Sequence, residues 1–170
     1  MHSAEVAPPD DKALWADAQL LGRALLAAGA RVTVAESCTG GWIAKVLTDV
    51  PGSSDWFEGG FVTYSNAAKV RLLGVSAATL DAHGAVSEAV VREMAAGARR
   101  ATSAPASIAV SGIAGPHGGT AEKPVGLVHF AWSLRGLDWS HSVRFEGDRE
   151  AVRRQAVAHA IRTLHDALTA

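Results

Sequence analysis

Val32-Thr33-Val34-Ala35-Glu36-Ser37-Cys38-Thr39-Gly40-Gly41 passes from an apolar run into a hydroxyl-rich turn closed by two glycines, and Trp42 to Thr48 continues as an amphipathic segment. The pattern predicts a strand over 32–35, a sharp turn, and a helix over 39–48. A helix start offers unpaired backbone N–H groups and the positive end of its dipole to whatever the turn carries. Ser37, Cys38 and Thr39 are therefore adjacent nucleophile candidates whose developing anion would meet donors, and Gly40 and Gly41 let the backbone come close to a bound molecule. The same residues also read as a plain helix cap beside a small buried cysteine.

On the N-terminal side of this stretch, Leu14, Trp15, Ala18, Leu21, Leu25 and Ala28 recur at helical spacing. Asp10 or Asp11 can cap that helix, and Gly29 stands where a left-handed C-terminal glycine belongs. Residues 1–10, with two prolines, read as a mobile tail, and 11–170 as one domain. On the C-terminal side, 49–55 is loop and 61–64 a second strand. Short helices follow over 67–73 and 76–83, each closed by glycine, and Ser87 caps a longer one running to about Thr102.

Ile108-Ala109-Val110 fits a strand buried on both faces, and it feeds the glycine-dense Ser111 to Gly119. Residues 125–134 and 139–145 read as a hairpin through Arg135-Gly136-Leu137-Asp138, and Asp148 caps a last helix with Val152, Val157, Ile161, Leu164 and Leu168 on its apolar stripe. Helices alternating with strands imply a three-layer α/β/α sandwich, a mixed sheet of about five strands with helices on both faces. Ligands in such sheets gather beyond the carboxyl ends of strands, where three of these strands run into the turn at Ser37, the segment Tyr64 to Lys69, and the glycine loop.

The composition narrows the function. The chain has 170 residues, 48% of them hydrophobic, and 16 Lys and Arg against 17 Asp and Glu, so it lacks the basic excess of a nucleic-acid binder. A single cysteine excludes an internal disulfide framework, no apolar run nears the ~20 residues that span a bilayer, and the N-terminus has no signal-peptide pattern. A soluble cytoplasmic protein is expected. Seven histidines show no HExxH or Cys/His ligand spacing, so no metal is expected.

A serine hydroxyl needs a base, and a lysine made less basic by burial can serve. Lys69 is the candidate, with Tyr64 placed to hold the amine or relay a proton; Lys69 and Arg71 read equally as solvated helix residues. Consecutive N–H groups of the Ser111 to Gly119 loop could cradle phosphate or carboxylate, although the loop is neither a Walker A nor a GxGxxG motif and a wide surface turn fits as well. Arg149, at the opening of the last helix, could clamp a phosphate; Arg153, Arg154 and Arg162 read as a solvated face. Trp42 and Trp56 read as core.

Taken together, AESCTGG at 35–41, GGFVTYSNAAK at 59–69, SGIAGPHGG at 111–119, AEKPVGLVHFA at 121–131 and FEGDR at 145–149 resemble the CinA C-terminal domain family, in the family's order and across nearly all of Leu14 to Leu168. That family includes stand-alone nicotinamide-nucleotide amidohydrolases. The resemblance implies the same α/β sandwich and hydrolysis of the carboxamide of nicotinamide mononucleotide to nicotinate mononucleotide and ammonia, without metal or organic cofactor. Carried over by motif, Ser37 is the nucleophile, Lys69 its base and Tyr64 their neighbour. Thr39, Gly40 and Gly41 supply oxyanion donors, and Ser111, where relatives usually have Thr, keeps a hydroxyl. Gly112, Gly115, Gly118, Gly119 and Arg149 hold the nucleotide; Ser54 falls in a further family motif, whereas His117 fills a variable position. Two other readings stand beside this one: a non-catalytic nucleotide-binding regulatory module, and a DNA-proximal role suggested by the family's competence association, which the near-neutral charge opposes. Membrane contact is not expected, and a homo-oligomer is open.

Overall fold

The computed structural model describes residues 7–170. The first six residues of the expected tail lie outside the described residues; of the rest, the Pro9 carbonyl accepts from Arg154 at 3.4 Å. Helix α1 (Asp11–Ala27) opens on Asp10, whose carboxylate accepts from the Ala13 N–H, and is followed by Gly29 at φ 59°. Strand β1 (Val32–Glu36) is buried at every position and lies between β2 (Phe57–Val62) and β3 (Ala106–Gly112), parallel to both. Strands β4 (Leu127–Leu134) and β5 (Leu137–Arg144) add antiparallel beyond β3, giving the sheet order β2-β1-β3-β4-β5. The mixed five-stranded sheet expected from the sequence is what forms.

Side-chain alternation divides the core by size. Val32, Val34, Ile108, Val110, Val128, Phe130 and Trp132 face α1, α2 (Trp42–Thr48) and α6 (Arg149–Thr169). Ala35, Ala109 and Ala131 face the other way, where α3 (Asn66–Leu73), α4 (Ala77–His83) and α5 (Glu88–Thr102) pack. Small residues on that face let α5 lie close to the sheet. α3 then lies on α5 at Gly97, where an added Cβ would stand 2.0 Å from the Leu73 carbonyl oxygen.

Strands β1 and β3 run longer than read, to Glu36 and over Ala106–Gly112, and three further boundaries shift at glycines. The helix expected over 39–48 begins only at Trp42, because Gly40 and Gly41 take φ of 59° and 95°, in the left-handed region. The second strand runs over Phe57–Val62 rather than 61–64. Gly59 and Gly60 carry no β signal, yet Gly60 lies so close to β1 that a Cβ would stand 2.7 Å from Val34 Cγ2. The hairpin turns on Arg135 and Gly136 alone, both at positive φ, so Leu137 and Asp138 belong to β5 and β4 begins at Leu127.

Candidate active site

The three parallel strands end side by side, and the chain leaves β1 for β2 on one side and receives β3 on the other. Ser37 stands at this switch point, its N–H donating to the Val110 carbonyl of β3 at 3.0 Å. Lys69, from the first turns of α3, reaches back to the same place. Its Nζ lies 3.0 Å from Ser37 Oγ, 2.7 Å from the Thr63 carbonyl and 3.3 Å from the Tyr64 carbonyl.

Lys69 is 1% exposed, and no carboxylate pairs with it among the described residues. Burial lowers its pKa from the ordinary lysine value. Nζ donates to the Ser37 hydroxyl and to both carbonyls, three contacts that bring no counter-charge to the amine. Cys38, beside it, is buried and uncharged; desolvation first, then the neighbouring Glu36 charge, push its thiol up to about 12. Of the three adjacent nucleophile candidates, Ser37 alone is hydrogen-bonded to the Lys69 amine.

The turn itself is held by a residue the sequence reading passed over. The fully buried Glu36 carboxylate accepts from the Thr39 hydroxyl at 2.6 Å, the Ile43 N–H at 2.8 Å and the Ala44 N–H at 3.0 Å. Burial raises its pKa, while these hydrogen bonds, joined by one from the Gly41 N–H, act in the opposite sense. Glu36 therefore caps α2 from six residues upstream and takes the donors that a free helix terminus would offer a ligand. The Gly40 N–H is also engaged, by the Ser37 carbonyl at 3.0 Å. Of the turn's N–H groups, those of Cys38 and Thr39 have no acceptor among the described residues. The only advance signal for Glu36 was a carboxylate at the end of an otherwise apolar strand.

A cleft of about 280 Å³ opens over the pair, lined by Ser37, Cys38, Tyr64, Lys69, Ser111, Gly112, Gly115, His117, Gly118 and Arg149, with Ala85, Val86, Ile113 and Ala114 as its apolar wall. Ser111 is buried and donates to the Ala85 carbonyl at 2.8 Å, which anchors the loop to the segment before α5. Arg149 bridges the cleft's rim, donating to the Gly115 carbonyl at 2.8 Å and the Tyr64 hydroxyl at 3.3 Å. It is the Tyr64 carbonyl, not its phenol, that meets the amine; the exposed ring points to Arg149.

Five predicted residues do not line the cleft: Thr39, Gly40 and Gly41 stay in the turn, with the Gly40 and Gly41 N–H groups engaged by Ser37 and Glu36, and Ser54 and Gly119 lie elsewhere. Ser54 belongs to a 3-10 turn over Ser53–Asp55 at the opposite end of β2, where its carbonyl accepts from Arg31. Gly119 is outside the cleft lining, and its close neighbour is Val125, whose backbone N would stand 2.7 Å from a Cβ there. The arginines of α6 are not a free basic face: Arg153 donates to the Cys38 and Thr39 carbonyls, Arg154 is paired with Asp11 and Glu150, and Arg162 with Asp17. Trp42 lies between the guanidinium groups of Arg153 and Arg154, while Trp56 is core. No described helix is long and apolar enough to cross a membrane.

The sequence is 57% identical over 157 residues to "Nicotinamide-nucleotide amidohydrolase PncC" of Shigella flexneri, covering 91% of this chain and 94% of that protein. The crystal structure of a CinA superfamily protein from Klebsiella pneumoniae superposes with a TM-score of 0.89 at 44% identity, covering 92% and 98% of the two chains. A competence/damage inducible protein from Agrobacterium tumefaciens gives a TM-score of 0.89 at 43% identity, over 95% and 98%. The CinA C-terminal domain profile matches residues 16–168, and the chain belongs to that family.

Proposed function

We propose that this protein hydrolyses the carboxamide of nicotinamide mononucleotide, releasing nicotinate mononucleotide and ammonia, with Ser37 as nucleophile and Lys69 as its base. The observation that carries the reading is the 3.0 Å contact between Ser37 Oγ and the amine of a buried lysine that has no acidic partner among the described residues. The 57% identity to relatives named nicotinamide-nucleotide amidohydrolases, over most of both chains, supplies the substrate.

Ser37 Oγ attacks the amide carbon as its proton passes to Lys69 Nζ. The tetrahedral oxygen takes hydrogen bonds from the free N–H groups of the Ser37–Gly41 turn. As the C–N bond breaks, Lys69 gives the proton to the departing nitrogen. Water, deprotonated by the same amine, then cleaves the acyl-serine ester and regenerates the hydroxyl. The glycine loop and Arg149 receive the mononucleotide phosphate, Arg149 exchanging its bond to Tyr64 for one to an anion. Such a phosphorylated substrate is confined to the cell interior, so the same reading places the protein in the cytoplasm.

The test is ammonia release from nicotinamide mononucleotide by the wild type, Ser37→Ala and Lys69→Ala, with free nicotinamide as control. The wild type is expected to turn over the nucleotide, and each substitution to lower kcat by at least about a thousandfold. A folded wild type that binds the nucleotide in a thermal-shift assay but releases no ammonia would overturn the reading in favour of a regulatory module.

A further inference from the structure

Ser37 lies at a turn whose helix has no leading N–H free for a ligand: the Trp42 N–H donates to the Thr39 carbonyl at 3.0 Å, and those of Ile43 and Ala44 to Glu36. Whatever stabilises a developing oxyanion must come from the turn's own peptide planes, so what fixes those planes matters. Arg153, one turn into α6, meets two of them at once. Its Nε donates to the Cys38 carbonyl at 3.0 Å and its Nη2 to the Thr39 carbonyl at 3.1 Å.

A trans peptide points its carbonyl and the following N–H in opposite directions. With the Cys38 carbonyl drawn toward α6, the Thr39 N–H is turned away from α6, and it has no acceptor among the described residues. With the Thr39 carbonyl held the same way, the Gly40 N–H turns back onto the Ser37 carbonyl at 3.0 Å and closes the turn. The guanidinium is itself fixed, with its central carbon 5.1 Å from the centroid of the Trp42 ring. Gly40 leaves the room it needs, since a Cβ there would stand 3.3 Å from Nη2.

We infer that Arg153 is a positioning residue of this site: it locks the Cys38–Thr39 and Thr39–Gly40 peptides so that the Thr39 N–H faces the oxygen that becomes charged when Ser37 attacks. The inference rests on the reading of Ser37 as nucleophile. Arg153 touches neither substrate nor reacting atoms, and so acts on the transition state through the backbone.

The experiment measures kcat and KM for nicotinamide mononucleotide in the wild type, Arg153→Ala, Arg153→Lys and Arg162→Ala, with thermal midpoints. The rate at which a serine-directed fluorophosphonate labels Ser37 is read by mass spectrometry in the same proteins. Arg153→Ala is expected to lower kcat and the labelling rate together, by about 10- to 1000-fold, with KM changed less than about threefold. Guanidinium at millimolar concentration should restore part of both in Arg153→Ala and nothing in Ser37→Ala. Arg153→Lys, which can satisfy one carbonyl at a time, should fall between, and serves if the alanine variant does not fold. Arg162→Ala, which loses only the surface pair with Asp17, should match the wild type. A loss confined to KM, unchanged kcat and labelling, or equal loss in Arg162→Ala would overturn the inference. A wild type inert toward the mononucleotide but labelled at Ser37 would fault the substrate and leave the labelling rates to decide on Arg153. A wild type neither active nor labelled would remove both readings.

Discussion

Lys69 shows how one side chain's environment sets its chemistry. An amine among two carbonyls and a hydroxyl, without a carboxylate, has lost water's support for its charge and gained no partner in exchange. The expected consequence is a pH profile. With the neutral amine as proton acceptor, as the proposed mechanism has it, kcat/KM should climb with pH through the lowered lysine pKa and level off below the ordinary lysine value of 10.5. Initial rates across pH 5 to 10 would check this; a limb centred near 10.5 would contradict it. The sequence could name Lys69 but not its burial, which comes from the packing of α3 onto α5 and from the turn after β1, segments far apart in the chain. Tyr64 shows the converse: its neighbourhood was legible, but which of its oxygens served was settled by backbone direction.

At the scale of elements, the sequence carried most of the helices because their signals are local. Asp10, Ser65, Ser87 and Asp148 each cap the helix that follows them. α2 starts later than its pattern suggests because Gly40 and Gly41 leave the helical region and its N–H groups are met by Glu36, six residues upstream, rather than by the residue next to the helix. Glu36→Gln keeps the size but turns an NH2 toward N–H groups, and should destabilise the fold by about 1–3 kcal/mol, read as a shift in urea midpoint. The junction of β5 and α6 gives a second expectation. His141 and His159 face each other at 2.7 Å across it, packed among Phe130, Trp132 and Phe145. Burial, then the charges of His141 and Arg162, lower the His159 pKa from 6.5 to about 4. The unfolded chain therefore binds the proton more readily, and stability present above pH 6.5 is lost as pH falls toward 4. Solvent contact at the partly exposed ring keeps that loss to about 1–2 kcal/mol. Thermal midpoints of the wild type and His159→Gln should converge as pH drops through this window.

For the molecule as a whole, the site is a seam between two helical layers. Ser37 and its turn are fixed by α2 and α6 on one face, and Lys69 is delivered by α3 from the other. The fold class was legible because each layer announces itself by periodicity, but the seam was not, since no local pattern says which strand ends meet. Gly97→Ala tests the coupling far from the chemistry. Its Cβ would run into the Leu73 carbonyl, so α3 must shift, and turnover should fall along with a stability loss of about 2 kcal/mol or more. A folded variant with full activity would show that α3 can move without carrying Lys69 away. The dryness around Lys69 also makes the protein safe when it is incomplete. On the proposed mechanism, a nascent, frayed or half-docked copy wets the amine, which then takes up a proton and falls silent, so only the finished fold is armed to cut an amide.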